Sequence, residues 1–269
     1  MTAQQKAISA LLALTFSAAA CTLGQPSVPT SAPVSTVSPV EQVTLTPTEA
    51  PLYEQVRFTT VSSSEANDAP KYTITTETPT LEGVDDGRVV EFNVLAQMIV
   101  NDMVDGFKDS MKNQPATPIV AGSSFDVKYE LLSPPGYIYS VKFNIMGYTD
   151  GAAHPHHFSK TVNFNLETGK EITLDELFLP GSNYLQIFSD ISKADLSTRD
   201  IGFDATFFTG AEPAPENYKS WNVTADGLLI TFDEYQVAAY AAGPQTVTVP
   251  YSALKDVIDP NGVLGKYIR

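Results

Sequence analysis

The fold is indicated most clearly by a stretch in the last third of the chain, Gly227-Leu228-Leu229-Ile230-Thr231-Phe232-Asp233-Glu234-Tyr235-Gln236-Val237-Ala238-Ala239-Tyr240-Ala241-Ala242-Gly243. After a short gap the chain continues Val247-Thr248-Val249-Pro250-Tyr251-Ser252-Ala253-Leu254. The apolar runs at 228–232 and 247–251 predict two strands, and the small residues between them predict a tight crossing. Ser252 is a typical first residue for a helix that follows the second strand.

Further strands and helices are predicted upstream of this stretch. Alternating apolar and polar residues predict strands at 56–59, 72–77, 125–131, 137–145 and 158–166, the last three as an antiparallel meander. Apolar residues at helical spacing predict helices at 88–112 and 183–196, the first capped by Asp85 or Asp86. The sequence therefore predicts an α+β protein of antiparallel sheets packed with helices, in two subdomains, 51–155 and 156–269.

The first fifty residues predict export and tethering rather than folded structure. Lys6 and an apolar run at 7–20 are typical of a signal peptide, and the run is too short to span a bilayer. Cys21, the single cysteine, follows Ala18-Ala19-Ala20, and this pattern resembles a bacterial lipoprotein signal, 1–20, with lipidation at Cys21. The alternative is an ordinary secretion signal. Residues 21–50, rich in Pro, Ser and Thr, predict a disordered linker between a membrane anchor and a folded part on the extracytoplasmic face.

The composition restricts the class of partner. The formal net charge is -15, so the surface repels phosphate and nucleic acid is not an expected partner. An acidic surface favours encounter with basic proteins, although it also serves solubility alone.

Two groups of residues are candidates for a site. All three histidines occur together as His154, His156 and His157, which could hold zinc or form a binding loop. Trp221, Tyr235 and Tyr240 are candidate binding aromatics or core residues. Asp233 and Glu234 are adjacent, which predicts a solvated strand end rather than a catalytic pair. The sequence predicts no catalytic residue, no resident metal and no cofactor.

One segment resembles a known family: Asn163-Phe164-Asn165-Leu166-Glu167-Thr168-Gly169-Lys170-Glu171-Ile172-Thr173-Leu174-Asp175-Glu176-Leu177-Phe178. Together with the stretch at 227–254, it resembles an extracytoplasmic domain of RsiV-type anti-sigma factors, which sense lysozyme. The same domain accompanies PdaC-type peptidoglycan deacetylases. The resemblance is clearest over 160–258, and a weaker one over 72–93 is to the companion domain of those deacetylases. We expect this sequence to be the sensor or accessory part alone, because it is too short to hold a sigma-binding segment or a catalytic barrel as well.

The resemblance implies a function that the motifs themselves do not carry. The first hypothesis is a non-enzymatic envelope lipoprotein that binds a cell-wall-related partner, a lysozyme-like muramidase or peptidoglycan. A second hypothesis is a metal-assisted hydrolase that uses His154, His156 and His157. A third hypothesis is a structural spacer without a ligand.

Overall fold

The computed structural model describes residues 50–133 and 136–268. The predicted signal peptide, Cys21 and nearly all of the predicted linker lie outside these residues. Within the described residues, no helix combines the length and the apolar character that crossing a bilayer requires. The α+β class is confirmed: one six-stranded sheet and one three-stranded sheet are packed with helices.

The larger sheet occupies the first half of the described chain and keeps the strands in sequence order. A short helix, α1, precedes it, and the elements are α1 (Leu52–Gln55), β1 (Arg57–Asp68), β2 (Lys71–Glu82), β3 (Ser123–Leu131), β4 (Ile138–Tyr148), β5 (His156–Asn165) and β6 (Lys170–Glu171). The predicted meander is confirmed for β3, β4 and β5. The prediction of purely antiparallel sheets is wrong at β2 and β3, which pair in parallel. A helix connects these two strands and returns the chain to the same end of the sheet, as a parallel crossover requires.

That helix, α2 (Gly87–Met111), covers one face of the larger sheet. It confirms the predicted helix at 88–112 to within one residue at each end. Asp86 caps it by accepting the backbone N–H of Arg88 at 2.8 Å. Its buried face packs on the apolar side of the strands through Val89, Phe92, Ala96, Val100, Phe107 and Met111.

The smaller sheet carries the stretch from which the fold was predicted. Its antiparallel strands are β7 (Trp221–Val223), β8 (Gly227–Phe232) and β9 (Gln245–Pro250), and the helices in this half of the chain are α3 (Tyr184–Leu196), α4 (Tyr251–Leu254) and α5 (Val263–Tyr267). The predicted order of strand, crossing, strand and helix is confirmed. The crossing, residues 233–244, is made of turns and one 3-10 turn, Tyr240–Ala242.

The apolar cores do not divide where the sequence places the subdomain boundary. Residues 156–165 were assigned to the second subdomain, but they form β5, which pairs with β4 along its whole length. The apolar core between α2 and the larger sheet includes residues as far along the chain as Leu166. The core of the second half includes Ile172 and the residues after it, together with Ile138 of β4. The larger sheet therefore continues past residue 155, and independent folding of the two cores stays a prediction.

A buried hydrogen-bond network joins the two sheets. Asn163 of β5 donates to the carbonyl of Trp221 at 2.9 Å and accepts from the N–H of Val223 at 3.0 Å and from the hydroxyl of Ser140 at 2.6 Å. Asn222 donates to Ser140 Oγ at 2.9 Å. The short strand β7 therefore packs on the face of the larger sheet that α2 does not cover. Polar side chains make this contact, and since both asparagines are buried, their hydrogen bonds replace those to water.

We predict that Asn163→Ala destabilises the protein by about 2–4 kcal/mol, because it leaves several buried groups unpaired. Urea unfolding monitored by circular dichroism measures this change. Asn101→Ala is the matched control, since Asn101 is exposed on α2 and accepts only from Gln97. Equal unfolding midpoints for the two variants would contradict a structural role of the network.

Candidate functional site

A groove of about 680 Å³ opens on the face of the larger sheet that α2 does not cover. Its floor is formed by polar side chains of three adjacent strands, and one wall is formed by residues 240–244. The floor residues are Asp126, Lys128, Lys142, Asn144, Met146, His157 and Ser159. Alternation along each strand places these side chains together, because every second residue of β3, β4 and β5 faces the same side.

His157 is fixed by a buried carboxylate at one end of the groove. Its Nδ1 lies 2.6 Å from Glu234 Oε1, and its backbone N–H donates to Glu234 Oε2 at 3.1 Å. The Glu234 side chain is 6% exposed, whereas the imidazole is 38% exposed. Because both carboxylate oxygens bind the same residue, the ring is held in one orientation. Nε2 makes no hydrogen bond with any described residue and is available to a ligand.

Asp233, which directly follows β8, binds β5 two residues after His157. Its Oδ1 accepts the backbone N–H of Ser159 at 2.9 Å. Burial raises the pKa of Asp233 above its ordinary value, and the hydrogen bonds from Ser159 and the charge of Lys142 oppose that rise. The prediction of a solvated strand end at Asp233 and Glu234 was therefore wrong. The chain turns after β8, so both carboxylates reach outward N–H groups of β5 instead of pointing to opposite sides.

Three aromatic side chains, His154, Tyr235 and Tyr240, form an aromatic rim beside the groove. The His154 and Tyr240 rings stack with centroids 3.9 Å apart, and Tyr235 lies 6.0 Å from Tyr240. The Tyr240 hydroxyl donates to the Pro155 carbonyl at 2.9 Å. Tyr235 is 58% exposed and has a φ of 66°, a conformation that is rare for bulky residues and costs free energy. The fold thus keeps the Tyr235 ring exposed to solvent although its backbone conformation is unfavourable. Such strain is typical of functional sites, which points to a binding role.

Two of the six binding residues predicted from the sequence, His157 and Tyr240, line the groove. Two more, His154 and Tyr235, lie beside it against the Tyr240 ring. His156 lies on the opposite face, where it contacts Gly147 and stacks with Phe158 at 6.0 Å. Trp221 is 6% exposed and belongs to the core, so it is not available to a ligand.

The sequence interpretation missed Lys128, Lys142, Asn144, Ser159 and Glu234. For the first four a signal existed, since they occupy the polar positions of strands that were correctly predicted. The bond between Glu234 and His157 joins residues 77 positions apart and leaves no local pattern. Only the topology brings them together.

The three imidazoles do not converge on a metal position. His156 and His157 are neighbours in a strand and point to opposite faces. Asp150, a carboxylate close to them in sequence, accepts the backbone N–H groups of Ile119, Val120 and Ala121. Among residues 50–133 and 136–268, no three His, Cys, Asp or Glu side chains group closely enough to hold a metal ion.

We predict a pH-dependent contribution of Asp150 to stability. Burial raises the pKa of Asp150, but the N–H groups of residues 119–122 outweigh this and hold it below its ordinary value. A lowered folded-state pKa stabilises the fold above the unfolded pKa of about 4, and the contribution is lost as pH falls through the lowered value.

Asp150→Asn should therefore unfold at a lower temperature than wild type at pH 7. The difference should shrink at pH 3, as measured by thermal unfolding. Asp126→Asn serves as the control, because its carboxylate accepts one side-chain hydrogen bond, from Thr75, and no backbone N–H. A difference between Asp150→Asn and wild type that is the same at both pH values would contradict the assignment.

Comparison with known proteins places the wall of the groove, but not its floor, within a recognised family region. Residues 175–252, which include β7, β8, β9 and the crossing at 233–244, match the model of a protein family of unknown function, DUF3298. Two solved DUF3298 structures, from Bacteroides fragilis and Pseudomonas aeruginosa, align with TM-scores of 0.58 and 0.60 at 14% identity. They cover 77% and 78% of this chain and 94% and 98% of their own, so they share its fold.

Two curated relatives are similar at the level of sequence. The peptidoglycan-N-acetylmuramic acid deacetylase PdaC of Bacillus subtilis is 25% identical over 189 residues, which is 65% of this chain and 40% of PdaC. Esterase Rv3036c of Mycobacterium tuberculosis is 33% identical over 104 residues, which is 39% of this chain and 45% of the esterase. The chain thus spans less than half the length of either relative. The narrower resemblance to RsiV-type ectodomains stays a prediction. Residues 175–252 form a DUF3298 family domain, and the chain is homologous to PdaC-like proteins over part of its length.

Proposed function

We propose that this chain is a non-enzymatic binding module of the cell envelope, held at the extracytoplasmic face by a lipid on Cys21. We propose further that its groove binds a glycan of the cell wall. The observation that carries this proposal is the convergence of His157 and the aromatic rim on one groove.

The chemistry of the groove suits a saccharide. A sugar ring has an apolar C–H face that packs on aromatic side chains, and its hydroxyl groups require both donors and acceptors. Here the aromatic rim stands beside a floor that offers amide, imidazole and ammonium groups. The volume of about 680 Å³ lies in the range of small-ligand sites, so it suits a short stretch of glycan.

The relatives support an envelope setting. PdaC is by name an enzyme of peptidoglycan, and the similarity extends over 65% of this chain. The domain that the two proteins share is therefore found in a protein that meets the cell wall. Peptidoglycan is the partner that this relationship favours.

A basic muramidase such as lysozyme is the second candidate partner. The net charge of -15 would speed encounter with a basic protein, and the resemblance to RsiV-type ectodomains points the same way. The exposed Tyr235 at the edge of the groove could serve as an aromatic anchor for such a protein.

A hydrolytic role is less well supported by the arrangement of side chains. Esterase Rv3036c is a relative, and Ser159 lies two residues from His157. However, the Ser159 hydroxyl bonds to Asp233, whereas a serine nucleophile needs a hydrogen bond to its base. The metal-assisted hydrolase is also less well supported, because His156 and His157 point to opposite faces of the sheet.

We predict that Tyr240→Ala and Tyr235→Ala each weaken binding of soluble peptidoglycan fragments about five- to thirtyfold, since each removes part of the aromatic rim. Isothermal titration calorimetry of the purified chain measures this loss. Phe208→Ala is the control, because Phe208 is also exposed but belongs neither to the groove lining nor to the aromatic rim.

The same titration with lysozyme, at low and at high salt, separates the candidate partners. Heat with lysozyme that falls with salt, and none with glycan, would replace the glycan by a muramidase. No heat with either ligand would leave the spacer hypothesis. Wild-type affinity for glycan in both tyrosine variants would remove the groove as the site.

A further inference from the structure

The floor of the groove is a regular array set by strand register. Asp126 lies opposite Met146, which lies opposite His157, and Lys128 lies opposite Asn144, which lies opposite Ser159. Lys142 occupies the next row, between Glu130 of β3 and Thr161 of β5, and Glu130 accepts a hydrogen bond from the Asn144 amide at 2.7 Å. Lys128 and Lys142 are thus diagonal neighbours on one face, with side chains that begin about 7 Å apart.

The acidic groups in and beside this array are already engaged. Asp126 accepts a hydrogen bond from the Thr75 hydroxyl. Glu234 binds His157 through both oxygens, and Asp233 accepts the N–H of Ser159. Much of the acceptor capacity of the groove is therefore used within the protein.

The two lysines differ from the acids in this respect. Neither Lys128 nor Lys142 makes a hydrogen bond or an ion pair with any described residue, although the Lys142 charge acts on Asp233. Lys142 is half-buried in the groove, and Lys128 is exposed beside it. The unpaired charged groups of the floor are thus two ammonium groups, in a protein whose net charge is -15.

Two unpaired ammonium groups in a groove favour a ligand that brings a negative charge. A single charge fits better than a double one, because Asp126 and Asp233 stand nearby and would repel a phosphate dianion more strongly. A carboxylate on a sugar satisfies both conditions.

We infer that the groove selects a glycan that bears a carboxylate, and that Lys128 and Lys142 bind this carboxylate while the aromatic rim contacts the sugar. This inference rests on the proposed glycan-binding function and adds the chemical class of the ligand. Asn144 Oδ1 and His157 Nε2 are placed to meet the neutral polar groups of the same sugar, whereas Asn144 Nδ2 already donates to Glu130.

The test compares two ligands that differ in one charge. The first is the disaccharide of N-acetylglucosamine and N-acetylmuramic acid, and the second is the same disaccharide with its lactyl carboxylate converted to a primary amide. Calorimetry of the full chain at low salt measures both affinities. A glycerol phosphate oligomer is the third ligand and tests a phosphate as the source of the charge.

Wild type should bind the carboxylate form about tenfold more tightly than the amide, as one charge-assisted contact of moderate strength predicts. Lys142→Gln and Lys128→Gln should each reduce that preference, and the double variant should abolish it. Lys160→Gln is the matched control, because Lys160 lies on β5 but on the opposite face and should keep the full preference.

Equal binding of the two disaccharides by wild type would overturn the carboxylate inference and leave the glycan-binding proposal standing. A preference that survives in the double variant, or tighter binding of the glycerol phosphate oligomer, would also overturn it. Binding of neither disaccharide would overturn both proposals.

Discussion

The position of every element around the groove depends on the buried contact between β5 and β7. Asn163 of β5 binds backbone groups of β7, and Asn222 of β7 donates to groups of β4, in a buried region. An apolar contact of the same area could slide, whereas hydrogen bonds between fixed donors and acceptors specify one register. The network therefore sets where β8 ends and where the chain emerges at Asp233.

The groove follows from that geometry. Because β7 covers only the part of the sheet near Ser140 and Asn163, the part near Met146 and His157 stays open. The crossing between β8 and β9 then forms a wall over the open part and brings Glu234 to His157. The larger sheet thus supplies the floor of the site, and the crossing between two strands of the smaller sheet supplies its wall.

The sequence was a good guide to whatever depends on local periodicity. The helix α2 and the strands β3 to β5 were predicted closely, since their apolar residues repeat at the spacing of one buried face. The parallel pairing of β2 with β3 was not predicted, because direction depends on how the helix between them returns the chain.

The site was predicted only in part, because the sequence shows the type of each residue but not its position in the fold. Tyr235 and Tyr240 were found from residue type, and they lie on a wall that residue type alone could not place. Trp221 was misjudged because a large aromatic serves a core and a surface equally well. Glu234 was misjudged because its partner is distant in sequence, and adjacency to Asp233 suggested solvent.

The carboxylates of Asp233 and Glu234 have a consequence beyond the groove. They occupy the outward N–H groups of Ser159 and His157, on a part of β5 that β6 does not reach. A strand edge with free N–H groups is a template on which another chain can add, and such addition leads to aggregates. By capping this edge with two acids, the protein removes donors and adds negative charge where a second strand would approach. The same two residues thus oppose edge-to-edge self-association.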